Sequence, residues 1–402
     1  MYHFSFVRNS IFLLAVVFFS INSCKKKEDD NVAPLKSTET LQAEIATNYA
    51  EIVYRNYLDA FTKAAELDQK LRTFVATPGV QNFEAAKTAW KEARIVYLQT
   101  EAFRFYEGPI DNAEGPEGRL NAWPLDEVFI DYVKGNPSSG IINDTINYPV
   151  ITKALLKELN ETDGNGGEAE KNISTGYHAI EFLLWGQDTS ANAPGQRPYT
   201  DFVNGGTASN QIRRGIFLLT VSEILLEDLQ YLIDQWAPTN GRYRIDFTGV
   251  KDLSSIKKIL LGIGSLSWGE MGSERLAPAY NELSQEEEHS CFSDNTHNDF
   301  IYDQLGIENV YLGRYRNLDG SITDGPGLDE LVQRNDATLD AEMKSILEAT
   351  KLSVQALQAP FDQEILKTEG RKRIQNVLVN LEKQSKEVSK IAQHLGITLE
   401  LE

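Results

Sequence analysis

Apolar residues near the start of the chain recur at intervals of three and four positions over about nine helical turns. This spacing places them on one face of an α-helix, because the helix repeats every ~3.6 residues. The series is Leu41, Ile45, Tyr49, Ile52, Val53, Tyr57, Phe61, Ala64, Leu67, Leu71 and Phe74. The Pro78-Gly79 pair interrupts the pattern, so the sequence predicts a long amphipathic helix that ends before residue 78.

Further helical patterns follow along most of the chain. Asn82 is a suitable N-cap for a second helix, which should carry Trp90 and Tyr97 and stop near Gly108-Pro109. More long helices are predicted at residues 212–236, 254–283, 328–357 and 361–395. The sequence shows no alternating strand pattern of more than five residues. We therefore predict an all-α fold made of two antiparallel helical-bundle halves.

A polar and aromatic stretch without periodicity, residues 237–251, divides the folded part into halves of similar helical content. We expect an N-terminal bundle over residues 38–243 and a C-terminal bundle over residues 244–402. Each half has a tryptophan followed by an arginine and a tyrosine: Trp90, Arg94 and Tyr97 in one, Trp268, Arg275 and Tyr280 in the other. This similarity leaves an internal duplication open.

Residues 1–23 have the pattern of a lipoprotein signal peptide. An apolar run at residues 11–19 is too short to span a bilayer permanently. Ile21 and Ser23 precede Cys24 as in a bacterial lipobox, so we expect lipidation at Cys24, with residues 24–37 as a flexible tether. An ordinary cleaved signal is the alternative. Lysine after the cysteine favours the outer membrane, while the charged KKKEDD tether resembles surface-export signals, so periplasmic and surface-exposed locations are both open.

The chain is strongly acidic, with 59 Asp and Glu against 39 Lys and Arg, and a formal charge of -20. This charge repels phosphate backbones, so nucleic acid is not an expected partner. Such acidity usually serves solubility, although carboxylates can also bind cations. The two cysteines, Cys24 and Cys291, do not form a disulfide framework.

The strongest candidate for chemistry is the pair His178 and Glu181 within Gly176-Tyr-His-Ala-Ile-Glu. Side chains three positions apart on a helix project to the same side, so both could bind one metal ion. The neighbours are apolar, and an unpaired buried carboxylate would be costly there. A histidine and a glutamate that satisfy each other in the core remain the alternative.

A second candidate is the ligand-rich segment at residues 286–299. It combines five acids with two histidines and a thiol, and imidazole with carboxylate suits Zn or Fe, whereas Ca would be bound by oxygens only. Asp294 and His297 are the candidate ligands here. The alternative is a polar helix junction in which Ser293 or Asp294 caps a helix and Cys291 is a small buried hydrophobe.

Three segments together resemble the imelysin-like family of bacterial surface and periplasmic proteins. They are Trp90-Lys-Glu-Ala-Arg-Ile-Val-Tyr97 continuing to Asp111, the Gly176-x-His178-x-x-Glu181 signature, and Glu288-His-Ser-Cys-Phe-Ser-Asp-Asn-Thr-His297. The resemblance implies a helical fold of two bundle-like halves, a metal-linked role in iron acquisition, and His178 and Glu181 as ligands. It also implies, by position, that Glu101 and Asp111 are acidic residues near this site.

The resulting hypothesis is a lipid-anchored protein that binds a metal ion, Fe or Zn, or its chelate, beside an outer-membrane uptake receptor. A cell-surface metallopeptidase and a non-catalytic scaffold docking to such a receptor are the alternatives. The family is nominally one of metallopeptidases, but the chain has no His-Glu-x-x-His motif, so proteolysis is disfavoured. We expect Arg94 and Asp126 to be structural. Metal affinity should fall as the pH drops through roughly 6.5, the range of an unperturbed histidine.

Overall fold

The computed structural model describes residues 36–162 and 169–401. The predicted signal peptide, Cys24 and nearly all of the predicted tether lie outside these residues and stay predictions. Ser37–Glu402 form one compact unit. The predicted boundary between residues 243 and 244 therefore divides a single contact unit, and it also stays a prediction.

The described part of the chain is mostly helical, which confirms the predicted all-α class. The α-helices are α1 (Thr38–Ala76), α2 (Val80–Tyr97), α3 (Glu117–Leu120), α4 (Glu127–Ile130), α5 (Lys153–Leu159), α6 (Gly176–Trp185), α7 (Gln211–Trp236), α8 (Arg242–Gly249), α9 (Ser254–Ser265), α10 (Ala277–Glu282), α11 (Thr296–Tyr311), α12 (Leu328–Asn335), α13 (Ala337–Gln355), α14 (Phe361–Leu366) and α15 (Thr368–His394).

Other regular segments are short. A π-helix, Leu266–Leu276, connects α9 to α10 without a break. Strands β1 (Arg314–Arg316) and β2 (Ile322–Asp324) pair antiparallel with Tyr315 opposite Thr323, and they form the only sheet among the described residues. The 3₁₀ helices are Leu98–Phe103, Ala169–Lys171, Tyr199–Phe202, Gln285–Glu287 and Cys291–Ser293.

The ends of the helices show what local signals can predict. Ser37 caps α1 by accepting a hydrogen bond from the Thr40 amide at 3.2 Å. The predicted N-cap Asn82 is wrong: α2 begins at Val80 after Gly79, and the Asn82 side chain instead donates to the Thr77 carbonyl at 2.8 Å. Asn82 thus stabilises the preceding turn rather than the helix start.

The predicted helices at residues 212–236 and 254–283 correspond to α7 and to the continuous run from α9 to α10. The other two predicted helices are each divided. Asp336 adopts an extended backbone and accepts hydrogen bonds from the amides of Thr338 and Leu339, so α13 starts anew after α12. Lys367, also extended, separates α14 from α15.

Two groups of packed helices meet along several elements, one of which is a short 3₁₀ helix. Helix α1 packs against α2 and α7, whereas α15 packs against α13, α9 and the π-helix. Helix α11 lies against the 3₁₀ helix Leu98–Phe103. The approach is close, because a Cβ on Gly306 of α11 would lie 2.5 Å from the carbonyl oxygen of Gln99. A glycine is therefore required at this contact.

Buried ion pairs reinforce the same junction. Glu101, on the 3₁₀ helix Leu98–Phe103, accepts hydrogen bonds from Arg104 at 2.7 Å and from Arg275 of the π-helix at 2.6 Å. Arg275 also donates to Asp303 of α11 at 2.9 Å. Burial raises the pKa of Glu101, but the guanidinium groups of Arg104 and Arg275 outweigh it and lower the pKa to about 2.

We expect Glu101→Gln to lower the free energy of unfolding by about 3 kcal/mol at neutral pH, because two buried guanidinium groups lose a shared counter-charge. The pKa of Glu101 is lower in the folded than in the unfolded chain. Its contribution should therefore be full above about pH 4.5 and be lost as the pH falls towards 2. Urea unfolding of the wild type and the variant between pH 7 and pH 3 measures this difference.

The matched control is Glu66→Gln, which removes an ion pair with Lys63 (2.7 Å) whose Glu66 side chain is 49% exposed. It should cost less than about 1 kcal/mol. Equal losses in the two variants would show that the buried pairs do not stabilise the junction.

Candidate metal centre

Helix α6 carries the predicted signature, and all ten of its residues are buried. Its first residue, Gly176, has φ +85°, and a Cβ there would lie 2.6 Å from the carbonyl oxygen of Leu120. The glycine of the signature is therefore needed both for its backbone conformation and for close contact with α3. Next to it, the Tyr177 carbonyl accepts a hydrogen bond from the Trp90 indole at 2.9 Å.

His178 and Glu181 contact each other directly. His178 Nδ1 lies 2.9 Å from Glu181 Oε2, and both side chains are fully buried. The other carboxylate oxygen, Oε1, accepts hydrogen bonds from the Ser293 amide at 3.0 Å and the Ser293 hydroxyl at 2.6 Å. Among the described residues, His178 Nε2 has no hydrogen-bond partner although it is buried.

His289 repeats this arrangement from the other side. Its Nδ1 lies 2.7 Å from Asp299 Oδ2, which also accepts a hydrogen bond from the Ser290 hydroxyl at 2.6 Å. The His289 and His178 rings lie 4.7 Å apart, centroid to centroid, and Trp123 contacts both. His289 Nε2 is likewise buried without a hydrogen-bond partner in the described part of the chain. The sequence prediction did not select His289, although this residue lies within the ligand-rich segment.

We call the pairs His178–Glu181 and His289–Asp299 the two dyads. Burial sets the charge states of their imidazoles and of Glu181. It lowers the pKa of both imidazoles well below the usual 6.5, aided by the neighbouring His289 ring for His178 and by Arg275 for His289. Burial also raises the pKa of Glu181 to about 8. When the carboxylate is ionised, Nδ1–H donates a hydrogen bond to it, and Nε2 is left with a free lone pair. This is the form of histidine that binds a metal ion.

A cavity of about 320 Å³ adjoins His289 and Trp123. Two arginines and six glutamates line it, so the formal charge of its walls is negative. These residues are Arg104, Arg275, Glu117, Glu161, Glu170, Glu270, Glu274 and Glu287. A negatively charged cavity concentrates cations.

The four further acids and histidines predicted as ligands occupy other environments. Glu101 is held by Arg104 and Arg275. Asp111 accepts hydrogen bonds from the amides of Tyr106 at 3.1 Å and Gly108 at 2.6 Å, and so stabilises a turn. His297 lies half-buried in the first turn of α11.

Asp294 belongs to a different cluster. Burial and the carboxylates of Asp362 and Asp188 raise its pKa to about 7. Within the described residues, these three aspartates are the only acids, histidines or cysteines that bring three ligand atoms within 4.8 Å of one another. None of the four further residues therefore forms such a group with His178 and Glu181.

Arg94 and Asp126 make the contacts expected of structural residues. The Arg94 guanidinium lies 5.7 Å from the centre of the Trp90 ring and donates to Asn121. Asp126 caps α4 by accepting from the Val128 amide at 3.1 Å. However, Arg94 Nη2 also lies 3.5 Å from Asp299 Oδ2, so it touches the carboxylate that holds His289.

The match to a family model extends over most of the chain. The model described as Imelysin covers residues 53–388. The chain belongs to the imelysin family. This confirms the resemblance predicted from the three sequence segments. A curated relative, iron-regulated protein A of Synechococcus elongatus, is 23% identical over 330 residues, 80% of this chain and 77% of the relative.

Solved structures show the same fold. A crystal structure described as an iron-regulated protein A precursor, from Parabacteroides distasonis, has a TM-score of 0.68 at 19% identity, and the match covers 90% of this imelysin-family chain and 97% of that one. An imelysin-like protein from Psychrobacter arcticus has a TM-score of 0.65 at 14% identity, with 91% and 99% covered. In the part of the chain that the structure describes, no helix is long and apolar enough to cross a membrane.

The geometry at Gly176 predicts a large loss of stability in Gly176→Ala, at least 2 kcal/mol beyond the cost of the positive φ alone. Gly135→Ala is the matched control, because Gly135 has φ +87° but no atom within 4 Å of the position of a Cβ. It should cost about 1 kcal/mol. Urea unfolding of both variants measures the difference. Similar losses would show that the approach to Leu120 is not restrictive.

Proposed function

We propose that this protein is a lipid-anchored imelysin of bacterial iron acquisition that binds an iron ion between His178 and His289. The observation that carries the proposal is the pair of buried, unpartnered Nε2 atoms on adjacent rings whose centroids are 4.7 Å apart. Each imidazole has a carboxylate behind its Nδ1, at 2.9 Å in one dyad and 2.7 Å in the other.

The roles of the two carboxylates follow from this arrangement. Glu181 and Asp299 orient the imidazoles and make them better donors, as carboxylates behind metal-bound histidines commonly do. Glu181 is thus a positioning residue rather than a direct ligand, which differs from the sequence hypothesis. Two imidazole donors suit Fe or Zn and leave coordination positions for water, as expected where an ion is bound reversibly.

Two observations support iron as a hydrated cation. The cavity beside His289 carries six glutamates against two arginines, which favours a cation over an anionic chelate. Family membership and the similarity to proteins described as iron-regulated support an iron-related role. A metallopeptidase and a receptor-docking scaffold are the competing functions, and the binding experiment separates them from the proposal.

We expect anaerobic Fe²⁺ titrated calorimetrically into the full-length protein to bind at one site, and His178→Ala and His289→Ala each to abolish this binding. His394→Ala is the control, since His394 is exposed at the end of α15. Zn²⁺ titrated in parallel tests selectivity. Unchanged Fe²⁺ binding in both site variants would refute the centre and favour the scaffold, whereas metal-dependent cleavage of casein would favour the peptidase.

Glu181→Gln tests the positioning role in the same experiment. It should weaken binding by about 10–100-fold rather than abolish it. Because Glu181 has a pKa of about 8 and must ionise to accept a hydrogen bond from Nδ1–H, metal affinity in the wild type should rise between pH 6.5 and 8.5. The rise should be absent in Glu181→Gln. This places the pH dependence above the range predicted from an unperturbed histidine.

The proposal of a lipid anchor is based on the sequence around Cys24. Expressed in a Gram-negative host, the wild type should fractionate with membranes, whereas Cys24→Ser should be released into the soluble fraction. Cys291→Ser is the control, because Cys291 is a buried free cysteine of the folded unit. A processed wild-type protein found in the soluble fraction would exclude lipid anchoring.

A further inference from the structure

Four acidic side chains from three separate segments meet behind the imidazole centre. Asp188 follows α6, Glu288 and Asp294 flank the 3₁₀ helix Cys291–Ser293, and Asp362 lies in α14. Oxygens of Asp188, Asp294 and Asp362 lie within 4.8 Å of one another, and Glu288 faces Asp362 and Asp294. We name these four residues the acidic cluster.

The acidic cluster is buried, and few hydrogen-bond donors reach it; the Ser190 amide donates to Asp188 Oδ1 at 2.9 Å. Glu288 is 0% exposed, Asp362 1%, Asp188 4% and Asp294 6%. Among the described residues, seven of its oxygens have no hydrogen-bond partner: one on Asp188 and two on each of Asp294, Asp362 and Glu288. The nearby cation that acts on Asp294 is Lys91, whose ammonium also lies over the Trp185 ring at 5.6 Å.

Other contacts hold the three segments in place. The Gln285 side chain donates to the Asp188 carbonyl at 3.0 Å. Gln363, next to Asp362, donates to the Asn192 side chain at 3.3 Å. The carboxylates are therefore brought together by the fold, although unpaired buried carboxylates repel one another and cost several kcal/mol. A bound cation would offset the free-energy cost of holding the acidic cluster together.

The donor set defines the class of cation. Carboxylate oxygens without imidazole or thiolate suit a hard ion. Ca²⁺ takes six to eight oxygens at about 2.4 Å. Mg²⁺ requires shorter distances and usually retains several waters. The number of free oxygens matches the larger ion.

We propose that Asp188, Asp294 and Asp362, with Glu288, form a Ca²⁺ site that is distinct from the imidazole centre. The ion would connect the end of α6, the segment from Glu288 to Asp294 and α14. This segment also carries His289 and Ser293, so bound Ca²⁺ would fix the residues that complete the imidazole centre. The proposal does not depend on the metal bound by His178 and His289.

The test is equilibrium dialysis of the full-length protein with ⁴⁵Ca²⁺ at neutral pH, together with thermal unfolding in EDTA, Ca²⁺ or Mg²⁺. We expect one Ca²⁺ per chain and a higher melting temperature in Ca²⁺ than in Mg²⁺. Asp294→Asn combined with Asp362→Asn should weaken Ca²⁺ binding at least tenfold. In EDTA the same double variant should melt at or above the wild-type temperature, because it relieves repulsion, and this result also shows that it folds.

Two control variants distinguish the Ca²⁺ site from the imidazole centre. Asp126→Asn removes an acid that caps α4 and should leave Ca²⁺ binding unchanged. His178→Ala should lose Fe²⁺ but retain Ca²⁺, so failure of one proposal is distinguishable from failure of the other. Absence of bound ⁴⁵Ca²⁺ at millimolar concentration, stronger stabilisation by Mg²⁺, or undiminished binding in the double variant would each overturn the Ca²⁺ site.

Discussion

The arrangement of the centre depends on the burial of two ionisable side chains on a helix that has no exposed face. All ten residues of α6 are buried, so His178 and Glu181 cannot be solvated by water. Glu181 is satisfied by His178 on one oxygen and by Ser293 on the other. Because Ser293 belongs to the C-terminal half of the sequence, the segment around it must fold over α6. That same segment carries His289. The hydrogen bonds from Ser293 to Glu181 therefore also bring the dyad of His289 and Asp299 next to α6.

The ligand-rich segment does not act as one site. In the sequence, Glu288, His289 and Asp294 lie within seven positions and suggest a mixed imidazole and carboxylate centre. In the structure, His289 turns towards His178 while Glu288 and Asp294 join Asp188 and Asp362. The chain changes direction locally between these side chains, because Asp294 has a left-handed backbone, φ +54°, directly after a single 3₁₀ turn. An oxygen-only site, which the sequence disfavours for the whole segment, is what we propose for Glu288 and Asp294.

The sequence predicted the helices well because amphipathic periodicity is a local property. It predicted His178 and Glu181 as a converging pair for the same reason, since their spacing is fixed by one helix. The missed breaks at Asp336 and Lys367 depend on single residues that leave the helical conformation where the apolar pattern continues. The sequence could not favour His289 over His297, because which of them meets α6 is decided by the tertiary packing of α11 and the preceding turn.

Buried carboxylates in this protein fall into classes that differ in what neutralises them. Asp131 lies 2.7 Å from Arg197 and 2.6 Å from Arg214, and although burial opposes it, these guanidinium groups lower its pKa. Glu101 is neutralised in the same way, which explains why an acid placed near the centre by family resemblance is not free to bind metal.

Glu181 and Asp299 instead face imidazoles, whose second nitrogen would transmit the effect of the carboxylate to an ion at the proposed centre. The acidic cluster instead has seven carboxylate oxygens without a hydrogen-bond partner in the described residues, and the cation that acts on its Asp294 is Lys91. A buried charge must be neutralised by a proton, a partner or an ion. What neutralises each buried acid therefore distinguishes the structural ion pairs from the proposed metal sites, whereas residue spacing in the sequence does not.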